Sequence, residues 1–371
     1  MSMEDFFDLN NEYIDDVTET ELILNIDLAS ETQFLENIGG ESARERDIVA
    51  FVDQYAATGI TALCFPLANK EFLAIWCDRC RKVGLKSYLL ISSETASEFD
   101  DYCDISVDKI LHDDRNVTDL TCFDVIKNNI PSEKLALLTA DKSVAQDECY
   151  DMIVVCPAED NCRVAVSDDW LENRNEHMIV PCVNNYLCSE NEKNWHPTPE
   201  IMNGIAVQYL AKGYDGLFLD GFCADPFDAD GNLYDIYDTC GNLAEAVGAR
   251  RRHLYTGELP VSILSNGDWK AQMHLGPVFA GAAVCVLIAA DVENSFDVFV
   301  GEHKLEKTGT PVLSAIDDNG RERQNGFISK SSKCSEFFVS VGDDCDSLSL
   351  QIKNKSDKSV TISWLEISVN V

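Results

Sequence analysis

The chain has 371 residues, of which 45% are hydrophobic and 25% charged, as expected of a globular protein with a sizeable core. Acidic residues outnumber basic ones by 65 to 29, which gives a formal net charge of −36. This charge predicts no binding to nucleic acid, whose phosphates require Lys and Arg, and none to anionic membrane surfaces. The length favours one large domain and a smaller one.

The beginning of the chain and its cysteines indicate a compartment. Residues 1–43 contain no Lys or Arg, whereas a secretory signal starts with positive charge and continues with an apolar stretch. We therefore expect a cytoplasmic protein, or a secreted one whose signal peptide has been removed. The fifteen cysteines are scattered over predicted strands and helices, which favours reduced thiols over a disulfide framework. Cys77 and Cys80 form a CxxC inside an apolar helical pattern and are interpreted as packing residues, not as zinc ligands.

From about residue 20 to 256, short apolar strands alternate with helical patterns, which predicts a parallel sheet. The predicted strands span residues 22–27, 61–66, 86–91, 107–112, 135–139, 151–156, 178–183 and 214–219. The predicted helices lie around residues 48–55, 70–83, 120–128, 168–175, 199–212 and 237–254. Eight strands that alternate with helical patterns predict an α/β fold, a (β/α)₈ TIM barrel over residues 1–256 with an acidic N-terminal extension. An open doubly wound sheet is the alternative, disfavoured because neither GxGxxG nor GxxxxGK[ST] occurs.

From residue 257 onward the helical periodicity fades and strand-like alternation takes over. The predicted strands are residues 283–288, 296–300, 337–341, 348–352 and 360–369, separated by clusters of turn residues. This pattern predicts a smaller all-β sandwich, jelly-roll-like, over residues 257–371.

Three carboxylates are candidate catalytic residues, because TIM-barrel active sites lie at the carboxyl ends of the strands. Asp220 directly follows the last barrel strand, Asp27 closes the first strand beside it, and Glu159 lies in the loop after the sixth. Hydrolysis of a glycosidic bond typically uses two carboxylates. For each residue the alternative is a structural role or an exposed charge. Asp215, at the other end of the last strand, is expected to cap or pair at the bottom of the barrel.

Candidate substrate-binding residues follow the seventh strand: Asn184, Asn185 and Tyr186, then Trp195 and His196 in the next loop. Asn side chains both donate and accept hydrogen bonds, as sugar hydroxyls require, and an indole ring offers a stacking face. Ordinary loop packing is the alternative. The histidines are too dispersed for a metal cluster, and we predict neither a metal nor a cofactor.

Residues 250–253, Arg-Arg-Arg-His, form the one basic cluster of the sequence. They lie in the last predicted helix of the barrel domain. We expect them to pair with some of the many acidic residues of this chain.

The segment Lys212-Gly213-Tyr214-Asp215-Gly216-Leu217-Phe218-Leu219-Asp220 resembles the "GxDG–apolar–Asp" strand of TIM-barrel glycoside hydrolases and of uncharacterised bacterial proteins similar to them. The similarity is strongest over residues 197–255. It implies a carbohydrate ligand, with Asp220 near the catalytic centre and a β-sandwich behind the barrel. The sequence departs from the largest group of these enzymes, which has Asn-Glu after strand four where this chain has His112-Asp113-Asp114.

The leading hypothesis is a glycoside hydrolase that uses Asp220 with Asp27 or Glu159 on a carbohydrate substrate. The alternative is a non-catalytic carbohydrate-binding protein with a degenerate barrel. A third hypothesis is a barrel lyase or metal-dependent hydrolase acting on a small acid. The sequence makes no prediction of the oligomeric state.

Overall fold

A computed structural model describes residues 20–26, 45–115, 120–143, 149–157, 161–163, 165–172, 174, 177–190, 193–222, 234–292, 295–317 and 321–370. The packing of these residues divides the chain into two compact units. The first is drawn from Met1–Asp160, Val166–Asn185 and Gly213–Asn242, and the second from Asn161–Ala165, Tyr186–Lys212 and Leu243–Val371. The sequence-based division placed residues 186–212 and 243–256 with the barrel, and the domain boundary at residue 256 stays a prediction.

The first ten strands of the described chain contain the barrel. They are β1 Glu21–Asn25, β2 Ala62–Pro66, β3 Lys86–Ser92, β4 Lys109–Asp113, β5 Leu135–Thr139, β6 Met152–Val155, β7 Met178–Asn184, β8 Cys188–Glu190, β9 Lys193–His196 and β10 Gly216–Asp220. Strands β1 to β7 and β10 pair in parallel and close into an eight-stranded barrel, β10 lying between β7 and β1. The predicted TIM-barrel fold is therefore confirmed, with each of the eight predicted strands in it.

Helices of the described chain are α1 Glu45–Ala56, α2 Lys70–Val83, α3 Asp124–Asn129, α4 Asp169–Glu172, α5 Pro199–Leu210, α6 Tyr234–Thr239 and α7 Leu243–Gly248, with 3₁₀ turns at Ala96–Tyr102, Leu120–Phe123 and Ser132–Lys134. Helix α2 begins at Asn69, whose side chain accepts hydrogen bonds from the backbone N–H groups of Glu71 and Phe72. Its apolar face buries Cys77 and Cys80, as the packing interpretation requires. Burial raises the pKa of Cys77 to about 11, which keeps this thiol protonated. No described helix is long and apolar enough to cross a bilayer.

The barrel interior is filled by apolar side chains from alternate positions of its strands. Ile23 of β1 and Phe218 of β10 belong to this cluster and are fully buried. The backbones of these two strands approach very closely at the start of β10. A Cβ atom on Gly216 would lie 2.0 Å from the carbonyl oxygen of Glu21, so only glycine fits there.

The remaining residues of the "GxDG" segment also stabilise the barrel. Asp215 Oδ2 accepts a hydrogen bond from the backbone N–H of Ile179 (2.7 Å) and pairs with Arg174 at 3.7 Å. The hydroxyl of Tyr214 donates to the carbonyl of Ser167 at 3.2 Å. Asp215 therefore caps the beginning of β7 at the bottom of the barrel, as predicted.

The second unit is mainly antiparallel β. Its further strands are β11 Arg251–Leu254, β12 Val261–Ile263, β13 Asp268–Val278, β14 Ala283–Ala290, β15 Phe296–Val300, β16 His303–Lys304, β17 Lys307–Gly309, β18 Ser314–Asp317, β19 Glu322–Gln324, β20 Lys333–Ser340, β21 Cys345–Asn354 and β22 Val360–Asn370. One sheet has the order β11-β22-β14-β20-β17, with β12 also on β22, and another β13-β21-β15-β16. A single apolar cluster draws residues from both sheets, in agreement with the predicted β-sandwich. A third sheet has the order β19-β18-β9-β8 and contains the hairpin β8–β9, which follows β7.

The prediction of a helix over residues 237–254 was wrong at its end. The described chain has the short helices α6 and α7, followed by strand β11, which pairs with β22. The basic cluster therefore lies partly on a strand. Arg252 binds Glu366 through two hydrogen bonds of 2.9 and 2.8 Å, so the expected pairing with an acid is found there. Arg251 instead donates to the carbonyls of Val247 and Pro277 and to His253.

Helix α5 packs against β11 within this unit. The approach is close at Gly204, where a Cβ atom would lie 2.2 Å from the carbonyl oxygen of Arg252. A larger side chain there would push the helix away from the strand that carries Arg252.

Candidate functional site

The mouth of the barrel is polar where its interior is apolar. Side chains alternate between the two sides of a strand, so the residue two places after an interior side chain points to the same side. Asp220 follows Phe218 by two positions, and Asn25 follows Ile23 in the same way. On the same argument Asn184 follows the interior residue Cys182. Asp220 and Asn184 are also direct neighbours in the pairing of β10 with β7.

Strand β4 adds a further polar group. Asp113, its last residue, follows Leu111 of the interior cluster by two positions. Arg115 lies just beyond the strand and binds Asp113 twice, from Nε to Oδ1 at 3.0 Å and from Nη2 to Oδ2 at 2.8 Å. The remaining nitrogen of this guanidinium, Nη1, donates to Asp220 Oδ2 at 2.7 Å. One arginine therefore joins the carboxylates of β4 and β10.

The second oxygen of Asp220 also has a donor. Asn25 Nδ2 donates to Asp220 Oδ1 at 2.7 Å. Asn25 is 2% exposed, and its Oδ1 has no hydrogen-bond partner among the described residues. The side chain of Asp220 is 16% exposed and is fixed on both oxygens. The carboxylate is thus held in one orientation at the mouth while part of it stays open to solvent.

The negative charge of this cluster is partly compensated by Arg115. Burial alone would lower the pKa of Arg115, but its hydrogen bonds and charge interactions with Asp113, together with the charge of Asp220, raise the pKa above its ordinary value. The guanidinium therefore remains protonated at every pH at which the protein is folded. Its role is to orient the two carboxylates and to neutralise part of their charge.

The neighbouring residues of β4 point away from the mouth. His112 is fully buried, its Nδ1 lies 3.0 Å from the hydroxyl of Tyr150, and its ring stacks on Phe123. Burial, with a smaller contribution from the charge of Lys127, lowers the pKa of His112 to about 3. The imidazole is therefore neutral. Its contacts with Tyr150 and Phe123 make it a packing residue.

Asp114 also lies outside the cluster at the mouth. Its Oδ2 accepts a hydrogen bond from the Thr139 hydroxyl at 2.9 Å. Burial, followed by the charges of Asp141 and Asp113, raises its pKa. A carboxyl that bonds to the outward-facing Thr139 of β5 is part of the wall of the barrel.

The predicted catalytic residues have different outcomes. Asp220 lies at the mouth as described, whereas Asp27 and Glu159 lie outside the described residues. Arg115, Asn25 and Asp113 were not among the predicted site residues. A signal for Asn25 and Asp113 was available, since both stand two positions after interior residues at the ends of their strands. Arg115 carries no such signal, because it lies outside the strand.

The predicted substrate-binding residues fall in both units. Asn184 is nine-tenths buried, and Asn185 donates from Nδ2 to the carbonyl of Gly221 at 2.8 Å. In the second unit Tyr186 is 42% exposed, and its ring lies 5.5 Å from that of His196. Trp195 is 5% exposed and packs on Phe327. Of these aromatic side chains, Tyr186 offers the most open surface to a ligand.

Among the described residues, no group of three or more His, Cys, Asp or Glu side chains is arranged to hold a metal ion. The mouth cluster is made of two carboxylates, a guanidinium and amides. Such a set recognises hydroxyl, amide or anionic groups through hydrogen bonds.

The sequence matches no model of a known protein family and no curated protein. Among solved structures, it is similar to one described as a glycoside hydrolase, at 9% identity and a TM-score of 0.44, covering 90% of this chain and 92% of that one. An uncharacterized B. cereus protein is similar at 13% identity and a TM-score of 0.40, covering 94% of both chains. The 3-hexulose-6-phosphate synthase from Salmonella typhimurium is similar at 11% identity and a TM-score of 0.36, covering 58% of this chain and 96% of that one. The fold is established by the strand pairing itself.

Proposed function

We propose that the mouth of the barrel binds a carbohydrate and that the chain hydrolyses a glycosidic bond there. The observation that carries this proposal is the position and fixation of Asp220. It is an inward-facing carboxylate at the carboxyl end of a barrel strand, oriented by Arg115 on one oxygen and by Asn25 on the other.

In the proposed reaction Asp220 acts as the nucleophile or the base beside the anomeric carbon. The second carboxylate, the general acid, is proposed to be Asp27 or Glu159. Asp113 is less suited to donate a proton, because both its oxygens are engaged by Arg115. Arg115 is a positioning residue that holds Asp220 in line, and Asn184 and Asn185 are proposed to bind sugar hydroxyls.

Non-catalytic carbohydrate binding is the second candidate function, and one observation favours it. The two described carboxylates of the mouth, Asp113 and Asp220, share a single guanidinium and form a partly neutralised polar surface. Such a surface suits hydrogen bonding to hydroxyl groups without requiring a free acid.

A panel of aryl glycosides separates the two functions. We expect the wild type to release the aryl group from at least one substrate, and Asp220→Asn to lower the rate by about 10²- to 10⁴-fold, the usual contribution of a single acid–base or nucleophilic group. Asn at this position keeps one oxygen for Arg115, which also stays paired with Asp113, but its NH2 group faces the Asn25 amide, so the urea midpoint of the variant is measured as well. Asp78→Asn is the matched control, because Asp78 is exposed on helix α2.

The outcomes are distinct. Full activity in Asp220→Asn would exclude the proposed role of this carboxylate. If the wild type cleaves no substrate but binds oligosaccharides on a glycan array, and Asp220→Asn weakens that binding, the second function is correct. Tyr186, Trp195 and His196 are proposed sugar contacts in the second unit, and alanine variants of each test them separately through oligosaccharide binding.

A further inference from the structure

Two cysteines lie side by side in the wall of the barrel near its mouth. Val155, the last residue of β6, pairs with Pro181 of β7, so the next residues along the chain, Cys156 and Cys182, stand opposite each other. Cys182 belongs to the interior cluster, and Cys156 packs against it. Both therefore face the same side of the two strands.

The spacing of these cysteines suits a covalent link. Neighbouring strands of a sheet lie about 4.8 Å apart. The Cα atoms of disulfide-bonded cysteines are usually about 4.4–6.8 Å apart. The Cys156 thiol interacts with the Cys182 thiol, so the two side chains lie near each other, and neither cysteine is in a disulfide. A disulfide would need a rotation of side chains, not a movement of strands.

The two thiols differ in access and in electrostatic surroundings. Cys156 is partly exposed, whereas Cys182 is 2% exposed. The charge of Arg115 acts on Cys156, so this thiol lies near a guanidinium. The hydrogen bond with Cys156 and then burial raise the pKa of Cys182, so this thiol keeps its proton. An accessible thiol beside a cation, with a second thiol behind it, is the arrangement found in redox-sensitive sites.

We propose that Cys156 and Cys182 form a reversible disulfide, with Cys156 as the thiol that reacts with a peroxide. The Cys156 thiolate attacks one oxygen of the peroxide, the O–O bond breaks, and the leaving hydroxide takes up a proton to become water. This step gives a sulfenic acid on Cys156. The Cys182 sulfur then attacks the Cys156 sulfur, the S–O bond breaks, and the hydroxide leaves with the Cys182 proton as water. Two thiols thereby lose two electrons to one peroxide.

The site adjoins the cluster proposed to bind substrate. Asp220 and Arg115 are among the charged groups that act on Cys182. A disulfide converts the thiol that lies near Arg115, and it links the ends of β6 and β7 at the rim of the barrel. The modification is nevertheless independent of the proposed glycoside hydrolysis, since it depends on the two thiols alone.

Peptide mapping of the full chain tests the proposal. The folded protein is treated with one equivalent of hydrogen peroxide, its remaining thiols are blocked with N-ethylmaleimide, and it is cleaved after acidic residues. The peptide of residues 152–159 contains Cys156 alone, and residues 177–190 contain Cys182 and Cys188. We expect these peptides to be joined, with the loss of two hydrogen atoms. We also expect the link to disappear on treatment with dithiothreitol.

Variants identify the partner and keep the test decisive. Cys182→Ala should abolish the link, while Cys188→Ser, on the same peptide, should leave it unchanged. If a variant does not fold, the peptide map of the wild type still tests whether Cys156 and Cys182 become linked. The proposal is overturned if Cys156 stays reduced while the exposed Cys103 and Cys149 are oxidised, or if the link persists in Cys182→Ala. Because the measured quantity is a mass, a failure of the aryl glycoside assay would leave this result unaffected.

Discussion

Replacing Glu366 by Leu removes the carboxylate that holds Arg252 in the interior of the second unit. The side chains of Glu366 and Arg252 are 0% and 6% exposed, and they form two short hydrogen bonds. Trp364 donates a further hydrogen bond to Glu366 at 2.8 Å. The substitution leaves the guanidinium buried without its counter-charge and the indole N–H without its acceptor.

The expected cost follows from that burial. Breaking a buried ion pair by removing one partner lowers the free energy of unfolding by about 3–5 kcal/mol. With a urea m-value of about 3 kcal/mol/M, the midpoint should fall by on the order of 1 M or more. Urea titration followed by tryptophan fluorescence and far-ultraviolet circular dichroism measures this shift.

Two comparisons test whether the buried counter-charge stabilises this region. Arg252→Met combined with Glu366→Leu removes both charges, so it should recover most of the loss. Asp78→Asn breaks an ion pair between two exposed side chains, Asp78 and Lys82, which are 52% and 58% exposed, so it should shift the urea midpoint far less than Glu366→Leu. If Glu366→Leu unfolds at the wild-type urea concentration, or if the double variant is as unstable as the single one, a buried counter-charge is not what stabilises this region.

Three further predictions concern the barrel unit. Gly216→Ala should lower the free energy of unfolding by at least about 2 kcal/mol in urea titration, because its Cβ meets the Glu21 backbone, while Gly248→Ala, with open space around it, should be nearly neutral. Asn69→Ala removes the cap of α2 and should cost about 1 kcal/mol by the same measurement. The folded-state pKa of His112, about 3, lies below its unfolded value of 6.5, so the unfolded chain binds the proton first and stability is lost as pH falls from 6.5 towards 3. His112→Leu should therefore reduce the loss of stability between pH 7 and pH 5 by about 2 kcal/mol, and equal losses in both proteins would contradict this assignment.

The barrel was predictable from the sequence because its strands are buried on both faces. A run such as residues 22–24, Leu-Ile-Leu, is apolar on both faces, whereas an amphipathic helix has a polar face. All three residues are fully buried. The order of such runs along the chain then fixes the parallel topology. Strand β13, which was not predicted, also has an apolar alternation in the sequence, formed by Trp269, Ala271, Met273 and Leu275.

The error at the last helix has a physical origin. Strand β11 consists of Arg-Arg-His-Leu, and all four residues are buried. No hydropathy pattern identifies a buried strand made of charged residues, because its burial depends on a partner far away in the sequence. That partner, Glu366, is separated from Arg252 by 114 positions.

The candidate site was predicted only in part for the same reason. Asp220 could be found because a strand end fixes its place, but Arg115 reaches it from a turn 105 residues away. The "GxDG" segment itself turned out to serve the barrel: Tyr214, Asp215 and Gly216 hold its bottom together. Its last residue alone lies at the mouth, so a resemblance in this segment reports mainly on how the barrel closes.

The interleaving of the two units along the chain has a consequence for biosynthesis. Strand β9 pairs with β18, and His196 meets Ile316, about 120 residues later. At a synthesis rate of roughly 5–20 residues per second, β18 is synthesised roughly 6–24 s after β9, so β9 is without its pairing strand during this interval. The barrel strands are all synthesised by residue 220, well before the last strands of the sandwich. A chaperone that shields the region from β8 to α5 during this interval should therefore raise the yield of folded protein more than one acting on the finished chain.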